Sequence, residues 1–524
     1  MAQIKRSSRF KEEEKPRGRS EYKALKMQQS LGHIGYGKRN AVKEKISEIK
    51  GFETFNLLPI IKESIGPHVL RHEGDEDIIP TPIQRLAIPA LLAQGSSRKQ
   101  SKKEQSETQS FLLAAETGSG KTLAYMLPII DALKRAEMEA IRDSEIESQE
   151  MEHEEKLEIK KESLWELESP TKVAPHPTTG RPRAIILVPT AELVNQVGAL
   201  AKSLSHSIKF RASLISSSFS GVVVRNRLFS PHGIDMLIST PHLLASITES
   251  DPNVLSRVTH LVIDEADSLL DRSFQDLTTA VLDRSLPSMK QLILCSATIP
   301  IRLDKYLRER FPNIKRLTTP NLHAVPRRVQ LAVVDVDKDP YRGNKDLACA
   351  DTIWTIGKGV AEYSEDGKKH KNETKRMLVF VNERQKTTEL ANYLQSTGID
   401  AVALSRDTSI RQQADVLTTF TTVVDPESKQ DTNPSPAKPS SKRILTNTKV
   451  LVVTDLASRG IDRTAVRHVI LYDVPHTTID FIHRLGRTGR MGRRGRGIVL
   501  VGKNDRKDVV KEVREAMFRG QALI

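Results

Sequence analysis

The sequence predicts an α/β protein with two consecutive domains, each built on a mostly parallel sheet. Short apolar runs with polar ends recur along the chain, and such runs are typical of strands covered by helices on both faces. Helical stretches separate the runs, so that strand and helix alternate. A segment containing Pro320, Pro326 and Pro340 divides the runs into two series.

Each apolar run is of strand length. The first series lies at residues 111–115, 184–189, 235–240, 260–267 and 291–298. The second series lies at residues 377–382, 401–405, 449–455, 468–473 and 497–502. We expect one strand in each run, and therefore two sheets.

The domain organisation follows from these series and from shifts in composition. We predict a basic, mostly disordered tail, a first domain, a linker and a second domain, at residues 1–50, 51–318, 319–345 and 346–524. An insertion at 137–180 is rich in Glu and Lys and reads as a solvated helix followed by a loop. A second insertion, at 425–447, is rich in Pro, Ser and Lys and reads as a loop.

Composition excludes several classes of protein. The 524 residues carry 81 Lys and Arg against 66 Asp and Glu, a net charge of +15 that favours nucleic acid first and an anionic membrane surface second. Two cysteines allow one disulfide at most, so a secreted disulfide scaffold is excluded. No apolar run is long enough to predict a membrane-spanning helix. With 4% aromatic residues, a wide base-stacking surface is not expected.

The basic tail allows three interpretations. It could be a nucleic-acid-binding arm, the segment that follows a cleaved targeting signal, or a solvated tail. A transit peptide is poor in acidic residues, and Glu12, Glu13 and Glu14 break that pattern.

A phosphate-binding loop is predicted where the first apolar run meets a helical pattern. The loop reads Ala-Glu-Thr-Gly-Ser-Gly-Lys-Thr and comprises Ala115, Glu116, Thr117, Gly118, Ser119, Gly120, Lys121 and Thr122. Glycines let backbone N–H groups close around phosphates, and the helix N-terminus adds positive potential. We expect Lys121 to reach the β- and γ-phosphates and Thr122 to bind Mg²⁺. A plain Gly/Ser turn is the alternative.

Two further sites would complete an NTPase. Asp264 and Glu265 follow the apolar run 260–263, where an acidic strand end would hold Mg²⁺ through Asp264 and activate water through Glu265. Arg487 and Arg490 lie in a Gly-Arg-Thr-Gly-Arg stretch, whose bidentate donors suit a phosphoryl transition state. Nonspecific nucleic-acid binding is the alternative, and it suits the arginines at 493–496 better.

These motifs resemble those of the DEAD-box RNA helicases. Residues 264–267 read Asp-Glu-Ala-Asp, and the other family motifs follow in order over about residues 52–502. The resemblance implies two RecA-like domains, ATP and Mg²⁺ as cofactors, and RNA as a partner held largely by its backbone. It implies an ATP hydrolase that unwinds or remodels RNA. The alternative is an ATP-dependent RNA clamp or assembly scaffold in which strand separation is incidental.

The resemblance also implies roles for individual residues. Phe52, Gln84 and Asp462 would contact the nucleoside part of ATP. The residues that would couple the ATP state to domain closure are Asp267, Ser296, Thr298 and His483. The residues that would contact RNA are Pro189, Thr190, Thr240, Pro241, Phe380, Thr454 and Gly460.

The chain departs from the family pattern mainly in its RNA motifs. Ala191 stands where the family usually has Arg, Leu243 stands in place of another Arg, and Gln413 falls where a third is expected. Each lost phosphate contact should lower the salt slope of binding to a single strand by about 0.7. We therefore expect weaker intrinsic RNA affinity than is usual in the family, offset by the basic tail or by a partner.

A narrower resemblance, to the fungal mitochondrial DEAD-box RNA helicases, rests on residues 9–28, 320–344 and 505–524. It implies a mitochondrial location, work on mitochondrial ribosomal RNA and partners in ribosome assembly. A mitochondrial presequence is not evident in the chain.

Overall fold

The computed structural model describes most of both predicted domains. It describes residues 42, 44, 46–69, 79–93, 108–158, 176–271, 273–320, 322, 329–359, 374–404, 416, 420, 445–455, 466–489 and 494–519.

The first sheet contains seven parallel strands within the described ranges. Their order across the sheet is β3-β4-β2-β5-β6-β1-β7. The strands are β1 (Gln109–Ala114), β2 (Ala184–Leu187), β3 (Ala212–Ile215), β4 (Met236–Ser239), β5 (His260–Ile263), β6 (Gln291–Ser296) and β7 (Lys315–Thr318). Every residue of β2, β4, β5 and β6 is buried, because helices cover both faces of the sheet.

The helices of the first domain connect these strands and cover them. They are α1 (Pro59–Val69), α2 (Pro82–Leu92), α3 (Lys121–Glu158), α4 (Ala191–Ile208), α5 (Gly221–Leu228), α6 (Pro241–Ser250), α7 (Ala266–Leu269), α8 (Gln275–Ser285) and α9 (Ile301–Arg310). Side-chain oxygens of Thr190 and Ser220 cap α4 and α5 by accepting from the N–H groups of Leu193 and Val223.

The second sheet contains six parallel strands in the part of the chain that the structure describes. Their order is β10-β11-β9-β12-β13-β8. The strands are β8 (Val329–Asp335), β9 (Lys375–Phe380), β10 (Ile399–Leu404), β11 (Leu445–Val453), β12 (His468–Leu471) and β13 (Gly495–Val501). The helices are α10 (Lys345–Lys358), α11 (Arg384–Ser396), α12 (Thr478–Leu485) and α13 (Lys507–Arg519).

Each sheet separates two hydrophobic cores, one on each face. Alternate residues of a strand contribute to opposite cores: Phe111 and Leu113 of β1 pack on one side, and Leu112 and Ala114 on the other. Two consecutive domains with parallel sheets are therefore confirmed. Because the strands of a sheet are parallel, their carboxyl ends form one edge, and the predicted ATP motifs follow strands that end there.

Three strands were not predicted. β3 and β7 have four residues each, and β7 is the exposed edge of its sheet. β8 lies within the segment predicted to be a linker, at 319–345, yet it pairs with β13 along its whole length and belongs to the second sheet. That part of the linker prediction is wrong, because an edge strand with alternating burial lacks the continuous apolar run used to find strands.

The helical part of the insertion at 137–180 continues α3, which runs unbroken to Glu158. The loop predicted at 425–447 lies outside the described residues except for 445–447, which begin β11. No helix in the described ranges combines the length and the apolar composition needed to cross a bilayer.

Candidate functional site

The predicted phosphate loop lies between the end of β1 and the start of α3. The N–H of Ala115 donates to the carbonyl of Ser296 on β6, 3.1 Å away, which ties the loop to the neighbouring strand. Gly118 and Gly120 have φ values of 75° and 84°, in the left-handed region that favours glycine. A Cβ on Gly120 would lie 2.6 Å from Nε2 of Gln84, so the close approach of these two motifs also requires glycine.

Lys121 lies across its own loop. Its Nζ donates to the carbonyl oxygens of Ala115 at 2.7 Å and of Glu116 at 2.9 Å. Burial lowers the pKa of Lys121, and the nearby Asp264 carboxylate opposes that shift. The ammonium group is thus held inside the loop, where it can turn to an anionic oxygen that enters the loop.

Gln84 connects the first turn of α2 to the phosphate loop. Its Oε1 accepts from the N–H of Thr81 at 2.8 Å, and its Nε2 donates to the carbonyl of Gly120 at 3.2 Å. The side chain is 4% exposed. Phe52 is also buried, with its ring edge-to-face against Phe55 at a centroid distance of 5.7 Å. Contact of Gln84 and Phe52 with the nucleoside stays a prediction.

The acidic strand end lies beside the loop. Oδ2 of Asp264 accepts from the hydroxyl of Tyr125 at 3.1 Å, and Oδ1 accepts from the N–H of Glu265 at 2.9 Å. Burial raises the pKa of Asp264 to about 6, and the Lys121 ammonium acts against this shift. Tyr125 was not identified from the sequence, although its position four residues after Lys121 puts both side chains on one face of α3.

Glu265 has a left-handed backbone, with φ of 52° and ψ of 50°. A non-glycine residue in this region is strained, and such strain is concentrated at functional sites. The conformation turns the chain from β5 into the short helix α7. It places Glu265, half-buried, at the carboxyl edge of the sheet.

Asp267 lies where the two domains meet. Its Oδ2 accepts from the hydroxyl of Thr298 at 2.5 Å and lies 3.4 Å from Nε2 of His483, which belongs to α12 in the second domain. Ser296 supports the same turn: its hydroxyl donates to the carbonyl of Thr298 at 2.6 Å. The structure therefore brings together all four residues that were predicted to couple the domains.

A second contact between the domains lies at the phosphate loop itself. The hydroxyl of Thr117 donates to the carbonyl of Gly486 at 3.3 Å. A Cβ on Gly486 would lie 2.2 Å from that hydroxyl oxygen and 2.9 Å from the carbonyl of Ile482, although the backbone of Gly486 is helical. The next residue, Arg487, is buried.

Among the described residues, Arg484 is the largest buried side chain, and the sequence did not single it out. Its Nε and Nη2 donate to the two carboxylate oxygens of Asp455 at 2.6 Å and 2.7 Å. Nη1 donates to the carbonyl of Asp473 at 3.1 Å, Nη2 also donates to Oδ1 of Asn382 at 2.7 Å, and the guanidinium lies over the Phe380 ring. Arg484 therefore ties the ends of β9, β11 and β12 to α12.

The predicted RNA contacts of the first domain lie at the start of two helices. Pro189 and Thr190 precede α4, and Thr240 and Pro241 begin α6, so these helix N-termini follow the adjacent strands β2 and β4. N-terminal N–H groups and the helix dipole favour phosphate at such positions. Ala191 is the first residue of α4. The helix start therefore lacks the cation that the Arg of the family pattern would place there.

The predicted RNA contacts of the second domain are placed only in part. Thr454, half-buried, follows β11. The Phe380 side chain is fully buried under Arg484, which excludes direct contact between its ring and RNA in this structure. Gly460, Asp462, Gln413 and Arg490 lie outside the described residues.

Comparisons with known proteins identify the family. The DEAD/DEAH box helicase family matches residues 81–306, and the helicase conserved C-terminal domain matches residues 438–492. The chain is 57% identical to the mitochondrial ATP-dependent RNA helicase mrh4 of Sclerotinia sclerotiorum over 100% of this chain and 86% of that protein. It is also 57% identical to the mitochondrial helicase MRH4 of Pyricularia oryzae, over 96% of this chain and 79% of that protein.

Solved structures share the fold. Dbp5 of S. cerevisiae bound to RNA and ADP BeF3 is 21% identical, with a TM-score of 0.58 over 89% of this chain and 93% of that one. Mss116p bound to single-stranded RNA and AMP-PNP is 20% identical, with a TM-score of 0.61 over 88% of this chain and 76% of that one. The expected RecA-like fold is confirmed. With 57% identity to the mrh4 proteins over nearly the whole chain, the chain belongs to the mitochondrial ATP-dependent RNA helicases of the DEAD-box type.

Proposed function

We propose that ATP and RNA together hold the two domains closed, that closure separates a short duplex locally, and that hydrolysis releases the RNA. The contact between the domains supports this proposal. His483 of the second domain lies against Asp267, and Gly486 lies against Thr117 of the phosphate loop. Both contacts involve residues next to the nucleotide motifs, so the state of the nucleotide can alter how the domains meet.

The phosphate loop would hold ATP by backbone N–H groups and Lys121. The Lys121 ammonium donates to two loop carbonyls, and a phosphate that entered the loop would offer it a stronger, charge-assisted partner. Gln84 would sense this change through its hydrogen bond to Gly120 and would contact the base. Phe52 and Asp462 are proposed contacts of the base and the ribose.

Thr122 and Asp264 fit a Mg²⁺ ion. A hydroxyl and a carboxylate are hard oxygen donors, the class of ligand that Mg²⁺ prefers in proteins. Asp264 is buried beside Lys121, where burial raises its pKa to about 6, so a bound cation would favour its ionised form. When bound, the ion would neutralise charge on the transferred phosphoryl group.

Glu265 is the proposed general base. Its strained backbone holds the side chain at the edge of the sheet next to Asp264, which suits a carboxylate that must accept a proton from water. Arg487 and Arg490 are the proposed arginine fingers, supplied by the second domain. Hydrolysis would therefore require closure of the domains.

The Glu265→Gln variant tests this assignment. The amide keeps the size of the side chain but cannot accept the proton, so we expect ATP binding to remain while RNA-stimulated turnover falls by about 10²–10⁴. Fluorescent-ATP titration and phosphate release measure the two quantities. Glu249→Gln, an exposed substitution on α6, is the matched control. Normal turnover in Glu265→Gln would refute the proposed role.

For the RNA itself we propose a sequence-independent backbone grip on mitochondrial ribosomal RNA, with partners in ribosome assembly. The helix N-termini that follow β2 and β4 support a phosphate contact, which carries no base information. Crosslinking to RNA in cells, followed by mapping of the reads, tests the RNA class.

If the folded Lys121→Ala variant still supports the cellular role, the protein acts as a clamp or scaffold, and strand separation is incidental.

A further inference from the structure

A cleft of about 820 Å³ opens at the amino ends of β2, β5 and β6, on the edge of the first sheet opposite the phosphate loop. His260 and Gln291 begin β5 and β6 and are register partners in the sheet. The walls come from α3 and from the end of α2. The proposed function uses none of these residues.

The charges around the cleft are unbalanced. Two carboxylates line the cleft: the buried Asp131 already accepts from the N–H of Leu58 and from Arg135, and the exposed Glu139 belongs to α3. Arg183 and Lys290 have no acidic partner among the described residues, and Arg257 donates only to the carbonyl of Pro177. The cleft therefore offers cationic groups to an anionic ligand.

The inner surface of the cleft is neutral and partly aliphatic. His260 is 6% exposed, and burial, aided by Lys290, lowers its pKa to about 4. Its Nδ1 shares a hydrogen bond with the hydroxyl of Thr259, whereas its Nε2 has no protein partner in the described part of the chain. Leu92 and Leu133 line the wall, and no Phe, Tyr or Trp is among the described residues that line the cleft. An anion with aliphatic groups fits this surface better than a nucleotide does.

The chain contains a segment of that chemistry. The last part of α3, residues 137–158, which we call the acidic arm, carries ten acidic and two basic residues in a protein whose net charge is +15. Aliphatic side chains are exposed on its described turns: Met138 is 47% exposed, Ile141 50% and Ile146 53%. Met138 and Ile141 are three residues apart and share one side of the helix, so they form an exposed apolar surface that a partner can cover.

We propose that the cleft binds the acidic arm of a second copy of this chain. The arm continues the helix that forms the cleft wall, so it starts next to its own cleft. A two-fold axis near the start of the acidic arm would let the arm of each copy reach the cleft of the other. Such a contact uses the same surfaces on both copies, so the assembly is complete as a dimer. Acidic side chains would meet Arg183 and Lys290, and aliphatic side chains would meet Leu92 and Leu133.

Sedimentation velocity of the full chain at micromolar concentration tests the proposal. We expect a dimer, and we expect Arg183→Glu with Lys290→Glu to weaken it about tenfold or more, because two attractions become repulsions. Glu145→Lys, on the same side of the arm as Met138 and Ile141, should weaken it in the same direction. The three substitutions combined in one chain should restore it in part. Lys202→Glu with Lys503→Glu, both exposed and outside the cleft, is the control matched in charge.

A synthetic peptide of residues 137–158 provides a second measurement. The labelled peptide should bind the wild-type chain, should bind the Arg183→Glu, Lys290→Glu variant about tenfold more weakly, and should dissociate the dimer when in excess. RNA-stimulated ATPase activity should be unchanged in this variant, which separates the proposal from the proposed function. The proposal would be overturned if the wild-type chain were a monomer at every concentration, or if the control pair weakened the dimer equally. A loss of RNA affinity in the cleft variant would also overturn it, because the cleft would then bind RNA.

Discussion

Arg484 has a structural role that reasoning from residue types did not reveal. A dense run of arginines predicts an exposed phosphate-binding surface, yet Arg484 is 2% exposed and makes four hydrogen bonds to Asp455, Asp473 and Asn382. Burial of one arginine in a run depends on partners that lie far away in the sequence, so no local pattern reveals it. By contrast, Lys121 and Asp264 were predictable, because each follows a strand in a motif with a fixed spacing.

The Arg484→Lys variant should destabilise the second domain by about 3 kcal/mol. An ammonium group cannot reproduce the planar fork that reaches Asp455 and Asn382 together, so buried acceptors lose charge-assisted partners. Urea unfolding measures the change. Arg494→Lys, an exposed substitution in the same arginine-rich stretch, should change stability by less than about 0.5 kcal/mol. Equal stability of the two variants would contradict the structural role of Arg484.

At the scale of elements, the sequence predicted buried strands well and edge strands poorly. β2, β5 and β6 are buried on both faces, and their continuous apolar runs marked them clearly. β7 and β8 form sheet edges, where one face is partly exposed and polar residues interrupt the run. The ends of helices were predictable mainly where a motif fixed them, as at Lys121.

The N-terminus of α4 provides a test of the expected weak RNA grip. Ala191→Arg would place a cation in the first turn of α4, next to Thr190, and should raise RNA affinity. One added phosphate contact should steepen the plot of log K against log salt for single-stranded RNA by about 0.7. Asn195→Arg, one turn further along α4 and exposed, adds the same charge away from the helix end. An equal gain in both variants would show that net charge alone sets the affinity.

At the scale of the whole molecule, the site depends on the contact between two domains that fold on separate cores. The sequence predicted both domains, and the positions of the motifs after the apolar runs predicted that the ATP motifs follow the carboxyl ends of strands. It did not predict the contact between Thr117 and Gly486, because such a contact depends on the packing of two surfaces that no sequence spacing fixes.

The Gly486→Ala variant tests how much this contact matters. The new Cβ would crowd Thr117 of the other domain and the carbonyl of Ile482 in its own helix, although alanine readily adopts the helical backbone of Gly486. We expect RNA-stimulated ATPase activity to fall about tenfold, as a loss of about 1.4 kcal/mol in the free energy of domain closure would give, together with a small loss of stability in the second domain that urea unfolding measures. Gly51→Ala, where a Cβ meets nothing within 4 Å, is the control. Unchanged ATPase activity in Gly486→Ala would show that the domains close without this contact.

His483 and Arg484 are neighbours in α12, yet one contacts the first domain and the other holds the second domain together. A substitution that loosens the Arg484 network would therefore also displace His483 from Asp267. We therefore expect a substitution here to change both the thermal stability of the second domain and the coupling of ATP hydrolysis to domain closure. Among natural variants that survive a change at one of these positions, compensating changes should be concentrated in the same helical turn or in its partners Asp455 and Asp267.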